Sequence, residues 1–212
     1  MAGISRRIVL TGLIGMVCGT GAAWVPRPAA AAPDGSAPAF VRALADRVIG
    51  ALRDPSLDAR QRLARIDAVT AGSFDLDRTA RIALGRYWRA APESERTEFA
   101  ALFKDYVLTS YGRRFQGFAD RELLVTGATP AGEDTLVAST VVGGPTPVAL
   151  DWRLASTPEG WRVLDLMVEG VSLLVTFRNE FAAVIERHGG KVAGLLVELR
   201  ERVAAERARL AG

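Results

Sequence analysis

The spacing of apolar residues changes twice along the chain, and this change restricts the fold more than any other sequence feature. Up to Asp120, apolar residues recur with a period near 3.6, which is typical of helices. From Leu123 to Val168 the period is 2, as in half-buried strands, and from Ser172 the helical period returns. Short Gly- and Pro-rich segments separate the strands and leave no room for helical crossovers. We therefore expect an α+β protein with an antiparallel meander.

The expected order is four helices, a curved four-stranded sheet and two further helices, with the helices wrapped on one face of the sheet. The strongest helical signal follows Pro92, where aromatic and aliphatic residues form one stripe as far as Tyr111. The predicted strands are Leu123–Ala128, Leu136–Val142, Val148–Ala155 and Trp161–Val168.

Residues 1–32 match the pattern of an export signal. The pair Arg6-Arg7 precedes an apolar run from Ile8 to Val25, and alanines at 29–32 supply the small side chains that cleavage requires. Residues 5–10 also resemble a twin-arginine signal. The alternative is an uncleaved anchor, because 18 apolar residues are just long enough to span a bilayer. We expect cleavage, a periplasmic location and one domain at residues 33–212.

The charge balance and the scarcity of cysteine and histidine exclude several classes of function. Without residues 1–32 the chain has 24 basic and 24 acidic side chains, and this neutrality argues against a nucleic-acid partner. The single cysteine, Cys18, lies in the export signal, and His188 is the single histidine. Neither a cysteine nucleophile nor a histidine metal cluster is expected. Common hydrolase and nucleotide-binding motifs are absent from residues 33–212. We expect a monomer without a metal or cofactor.

Three titratable residues occupy positions that allow a chemical role. Asp165 lies on a largely apolar strand face, either as a general base in a pocket or as the partner of Arg153 on the preceding strand. We favour the ion pair. Glu169, at the end of the same strand, allows similar alternatives. His188 precedes two glycines at a predicted helix end, where an imidazolium suits the negative pole of the helix dipole, so we expect a structural role.

Aromatic residues are concentrated on the sheet and helix faces that are expected to meet. Either they form an ordinary filled core, or they form a shell around an apolar cavity. The pattern of residues alone does not distinguish these two arrangements.

Several motifs resemble those of one known family. They are Phe74-Asp75, the run Leu84-Gly85-Arg86-Tyr87-Trp88, the long run from Trp161 to Leu173 with its Asp165 and its Glu169-Gly170-Val171-Ser172, and the run Arg178-Asn179-Glu180-Phe181. With them, the chain resembles the MlaC / toluene-tolerance family of periplasmic phospholipid-binding proteins over residues 40–199. Leu76 departs from the pattern, since the family often has a second aromatic residue there. A related branch is associated with hopanoid biosynthesis, and these motifs do not separate the two.

The resemblance implies a lipid carrier and not an enzyme. Such proteins shuttle phospholipids between an outer-membrane lipoprotein–porin complex and an inner-membrane ABC transporter bearing an MCE-domain protein, which maintains the lipid asymmetry of the outer membrane. The ligand, a phospholipid or a hopanoid, would place its hydrocarbon in an apolar cavity between sheet and helices. Arg178 is expected to neutralise Asp165 or Glu169 or to meet a phosphate. The residues expected to line or border the cavity are Phe74, Leu84, Trp88, Phe103, Tyr106, Tyr111, Trp152, Val171, Leu174, Phe177 and Phe181.

Two alternatives remain open from the sequence. One is an enzyme with the same cavity, of NTF2-like character, that uses Asp165 or Glu169 as a general base. The other is an adaptor protein whose core is fully packed.

Overall fold

The structure, a computed structural model, describes residues 35–116 and 119–211, and it confirms the α+β class. The predicted export signal at residues 1–32 lies outside the described residues. None of the helices in the described ranges combines the length and the hydropathy needed to cross a bilayer. The helices are α1 (Ala37–Arg53), α2 (Ala59–Thr70), α3 (Leu76–Leu84), α4 (Tyr87–Ala90), α5 (Glu93–Gln116), α6 (Leu173–Arg187) and α7 (Val192–Ala211).

Short polar side chains set the starts of four helices. Ser36, Asp58, Asp75 and Ser172 each accept a hydrogen bond from a backbone N–H in the first turn of α1, α2, α3 and α6. At α2 the bond is reciprocal, because the Gln61 side chain accepts from the Asp58 backbone and completes a capping box.

The sheet is a meander of five antiparallel strands in sequential order, where the sequence predicted four. The strands are β1 (Glu122–Ala131), β2 (Asp134–Val142), β3 (Val148–Thr157), β4 (Gly160–Val168) and β5 (Val171–Ser172). Glu169 and Gly170 connect β4 to the additional strand with φ values of 50° and 76°, as a two-residue hairpin turn requires. Two residues directly before a helix show no period of their own, so the pattern did not reveal β5.

The apolar side chains form two large hydrophobic clusters that have no residue in common. In the sheet cluster, α1 packs on one sheet face, and its Val41 and Leu44 belong to the same cluster as Trp152 and Leu154 of β3. The helical cluster joins α3, α5, α6 and α7, with Phe99, Phe103, Phe177 and Phe181 at its centre. A filled domain usually has one contiguous core. Here the apolar residues of the sheet and those of the helices form separate clusters, so the boundary between the two clusters is a candidate location for a ligand.

His188 ends α6, which confirms the predicted position at a helix end. Its Nε2 lies 2.9 Å from Oε1 of Glu198 on α7, and Arg187 donates to the same carboxylate. Hydrogen bonds from His188 and Arg187 hold the pKa of Glu198 below its ordinary value. The imidazole therefore contributes to the junction between α6 and α7.

The lowered pKa of Glu198 predicts a loss of stability in acid. Because the folded state favours the charged form, this contribution is complete above the ordinary pKa of 4.5 and disappears as the pH falls through the lower folded value. We expect Glu198→Gln to flatten the decline in unfolding free energy below pH 4.5, as measured by urea denaturation across that range. A decline as steep as in the wild type would contradict this assignment.

Gly194 permits the close packing of the α6–α7 junction. A Cβ atom there would lie 2.3 Å from Cγ and 2.4 Å from Cβ of His188. We expect Gly194→Ala to lower the free energy of unfolding by about 1–3 kcal/mol, because it overpacks this contact. The matched control is Gly50→Ala in α1, where a Cβ would meet nothing within 4 Å, and this change should stabilise by about 0.5–1 kcal/mol. Equal effects in thermal unfolding would refute the steric explanation.

Candidate functional site

One face of the sheet is apolar along its whole length but is covered over only part of it. The register places Val148, Leu150 and Trp152 of β3 opposite Val141, Val168 and Leu166 respectively, all on this face. Trp152 and Leu154 are buried in the sheet cluster together with residues of α1, whereas Val148, Leu150 and Leu166 are only half-buried. The apolar surface therefore continues beyond the part that α1 covers.

The uncovered part of this face extends to the start of α6. Val168 is 36% exposed, Val171 is 59% exposed and Val175 is 53% exposed. Val168 pairs directly with Val171, and Val175 lies in the first turn of α6. We call Val148, Leu150, Leu166, Val168, Val171 and Val175 the open apolar face. Leaving these side chains in water costs about 25 cal/mol per Å², so a ligand that covers them gains this energy.

Most of the predicted lining residues lie together in the helical cluster. Leu84, Phe103, Leu174, Phe177 and Phe181 are buried there, and Trp88 and Tyr106 pack against the cluster at its edge. The Phe103 ring meets those of Phe177 and Phe181 edge-on, with centroids 5.5 and 5.9 Å apart. These side chains therefore form one packed apolar cluster on the helical side.

The remaining predicted lining residues lie elsewhere. Trp152 and Phe74 belong to the sheet cluster, and Val171 lies on the open apolar face. Tyr111 is in α5, but its side chain lies outside what the structure describes. The prediction omitted Val148, Leu150, Leu166 and Val168. The alternation along β3 marked the first two as inward-facing, but it carried no information on what covers them.

The predicted ion pair between Asp165 and Arg153 is wrong. The two residues are opposite each other in the β3–β4 ladder, yet the Arg153 guanidinium binds Asp134, with Nε 2.7 Å from Oδ2. The register shifts at this point of β4, and the Asp165 carboxylate instead accepts hydrogen bonds from the Ser172 hydroxyl and from the backbone N–H groups of Leu166 and Leu174. Asp165 thus fastens the start of α6 to the sheet, where a negative charge suits the helix dipole.

Removal of the Asp165 carboxylate should loosen the start of α6. We expect Asp165→Ala to lower the unfolding free energy by about 1–3 kcal/mol, since it removes the acceptor for the backbone N–H groups of Leu166 in β4 and Leu174 in α6. Asp151→Ala on β3 is the control, because no hydrogen bond of its side chain is found among the described residues, and its cost should stay within about 0.5 kcal/mol. Similar losses in the two variants would argue against the anchoring role.

Glu169 and Arg178 also have structural surroundings that differ from the expectations. The Glu169 carboxylate accepts from the Ala149 backbone N–H at 2.6 Å, which ties the β4–β5 turn to β3. Arg178 pairs with neither Asp165 nor Glu169 among the described ion pairs. Its side chain lies over Gly85, where a Cβ atom would come within 3.1 Å of Nε. The carboxylates of Asp165 and Glu169 therefore both accept hydrogen bonds from the backbone.

Three polar side chains, Tyr106, Glu180 and Arg202, form a hydrogen-bonded group at the edge of the helical cluster. Glu180 on α6 accepts from Arg202 on α7, and the Tyr106 hydroxyl of α5 lies 3.4 Å from the same carboxylate. Burial, together with the charge of Glu180, raises the pKa of Tyr106. The three helices are thereby joined by hydrogen bonds as well as by apolar packing.

A groove of about 460 Å³ lies at a different place, between the start of α3 and the β3–β4 hairpin. Phe74 and Leu76 contribute to its wall, but most of its lining is charged or polar: Asp75, Asp77, Thr157, Glu159 and Arg162. Ionised side chains disfavour hydrocarbon, so this groove is not suited to an acyl chain.

The described part of the chain contains no cluster of three or more His, Cys, Asp or Glu side chains that could hold a metal ion.

Comparison with known proteins identifies the family. The MlaC protein family matches residues 42–201, which is most of the chain. The chain belongs to the MlaC family. A solved structure from Ralstonia solanacearum, a phospholipid-binding protein in complex with a phospholipid, is 31% identical to it with a TM-score of 0.72. The match covers 84% of this chain and 100% of that one, so the MlaC-type architecture extends across the whole relative.

Proposed function

We propose that the protein is a periplasmic phospholipid carrier that binds acyl chains without a catalytic role. The observation that carries this proposal is the open apolar face, left half covered in a chain that is 31% identical to a phospholipid-bound relative. Membership of the MlaC family supports a binding and transport function in the periplasm. The structural roles of Asp165 and Glu169 give no support to the alternative in which either is a general base.

The hydrocarbon would lie between the two hydrophobic clusters. One wall is then the open apolar face, and the other is formed by helical residues such as Phe103, Tyr106 and Phe177. Two acyl chains carry about 30 methylenes, worth roughly 24 kcal/mol of transfer from water. Because the chains leave one bilayer and enter another, the carrier needs only to match the environment of a bilayer.

The transport part of the proposal follows from the family. The carrier would receive phospholipid from one membrane complex and deliver it to the other, with an outer-membrane lipoprotein–porin complex and an inner-membrane ABC transporter bearing an MCE-domain protein as its partners. Residues 33–212 would act as one lipid-binding domain, and residues 1–32 as its export signal.

Mass spectrometry of the protein purified from its own periplasm tests the proposal. We expect near-stoichiometric diacyl phospholipid, which native conditions retain and denaturation releases. Protein purified without any bound lipid, and unable to extract labelled phospholipid from vesicles, would refute it. A bound hopanoid in place of phospholipid would correct the ligand class.

A further inference from the structure

Four arginines surround α4 without a carboxylate partner. Arg81 on α3, Arg89 on α4, Arg96 on α5 and Arg178 on α6 form no ion pair with an acidic side chain among the described residues. By contrast, eight other arginines of the described chain pair with acids, including the nearby Arg86, which binds Glu186. We call these four residues the arginine patch.

Trp88 is the centre of the arginine patch. The guanidinium carbons of Arg81 and Arg96 lie 5.6 and 5.9 Å from the centre of its ring, within the range of cation–π contacts. The Nε atom of Arg96 is buried without a hydrogen-bond partner. Two cations are thus held on one indole ring, and neither forms an ion pair with an acidic side chain of the described residues.

Arg178 joins the arginine patch through Gly85. Gly85 has φ +58° and ends α3, and the side chain of Arg178 lies directly over it. The backbone N–H of Trp88 donates to the Gly85 carbonyl, so Trp88 and the Arg178–Gly85 contact lie close together. This contact brings together the motif at 84–88 and the motif that begins at Arg178.

The surplus of positive charge is local. The chain from Asp120 to Gly170, which contains most of the sheet, carries eight acidic and three basic side chains. The sheet is therefore negative, and the balancing positive charge lies in the helical segments, although the protein as a whole is nearly neutral after residue 32. Such an asymmetry orients a protein at a charged surface.

We propose that the arginine patch binds the anionic surface of a phospholipid bilayer. Arginine supplies charge and hydrogen-bond donors for phosphates, and tryptophan favours the boundary between headgroups and acyl chains. Ile82, a large apolar residue on α3 that is 38% exposed, adds apolar surface beside Arg81. The proposal rests on the proposed function, since a lipid carrier must work beside membranes.

Vesicle co-sedimentation tests this proposal with a double variant, Arg81→Gln with Arg178→Gln. The full chain without residues 1–32 is mixed with vesicles of phosphatidylcholine, with or without phosphatidylglycerol, at low and at high salt. We expect the wild type to bind only the anionic vesicles and to be released by salt. The double variant should bind about 25-fold more weakly, at about fivefold per charge.

Two control variants show whether vesicle binding depends on the position of the removed charges or only on the net charge of the protein. Arg60→Gln with Arg65→Gln, both exposed on α2, removes the same charge elsewhere and should change binding by less than about twofold. Arg81→Lys with Arg178→Lys keeps the charge and should retain most of the vesicle binding.

Equal losses in the α2 control, or no binding of wild type to anionic vesicles, would overturn the proposal. In the second case an acidic protein surface would be the partner of the arginine patch. The proposed function would survive either result as long as the wild type still carries phospholipid. Absence of bound lipid from the wild type would instead refute the carrier function itself.

Discussion

Val168→Asp is expected to reduce co-purified phospholipid about tenfold or more while leaving the fold intact. Val168 lies on the open apolar face opposite Leu150, and it is 36% exposed, so the folded protein tolerates a polar side chain there. A bound acyl chain would cover this position and remove water from the new carboxylate. Aspartate is too short to carry its charge out to solvent, and an unpaired buried charge is costly. Lipid per protein, measured by mass spectrometry, checks the result.

Leu124→Asp provides the matched control. Leu124 is a comparably exposed apolar residue, at 44%, on the same sheet. It neighbours Leu123, which pairs with Val141 on the apolar face, so Leu124 points to the opposite face. We expect normal lipid in this variant. Equal lipid content in the two variants would exclude the open apolar face as the binding surface.

Phe181→Ala should cause the largest loss of stability, about 3–5 kcal/mol. The side chain is fully buried in the helical cluster and packs against the rings of Phe99, Phe103 and Phe177. Truncation removes contacts with α5 and leaves a cavity that the rigid helices cannot close. Urea denaturation monitored by circular dichroism gives the unfolding free energy.

Val175→Ala tests whether the loss of stability in Phe181→Ala comes from the burial of the side chain and not from its position in α6. Val175 is on the same helix but 53% exposed, so its truncation should cost no more than about 0.5 kcal/mol. A small effect of Phe181→Ala would mean that the aromatic rings are loosely packed and that the space around them adapts to the ligand.

The architecture could be predicted from the sequence because it is set by local periodicity. The change of period at Asp120 and Ser172 identified the order of helices and strands, and short turns required antiparallel pairing. The partner of Asp165 could not be predicted, because the register shift in β4 turns its carboxylate toward α6. Alternation placed Arg153 opposite it correctly, but a ladder position does not determine which acid a long side chain reaches.

The division into two hydrophobic clusters also could not be predicted from the sequence. Trp152 and Phe103 are both aromatic residues on predicted inward faces, yet one belongs to the cluster that contains α1 and the other to the cluster that contains α6. Which part of the sheet remains open depends on where α1 crosses it, and no local pattern contains that information. The family resemblance supplied the ligand class, while the position of the open face required the structure.

Strand β4 provides the starting points of two helices. The segment before α3 bonds to its edge at Val163, and the start of α6 is held by Asp165 and by the short ladder with β5. The starts of α3 and α6 are therefore both attached to the same strand of the sheet. A displacement of this strand would therefore move the starts of both helices together.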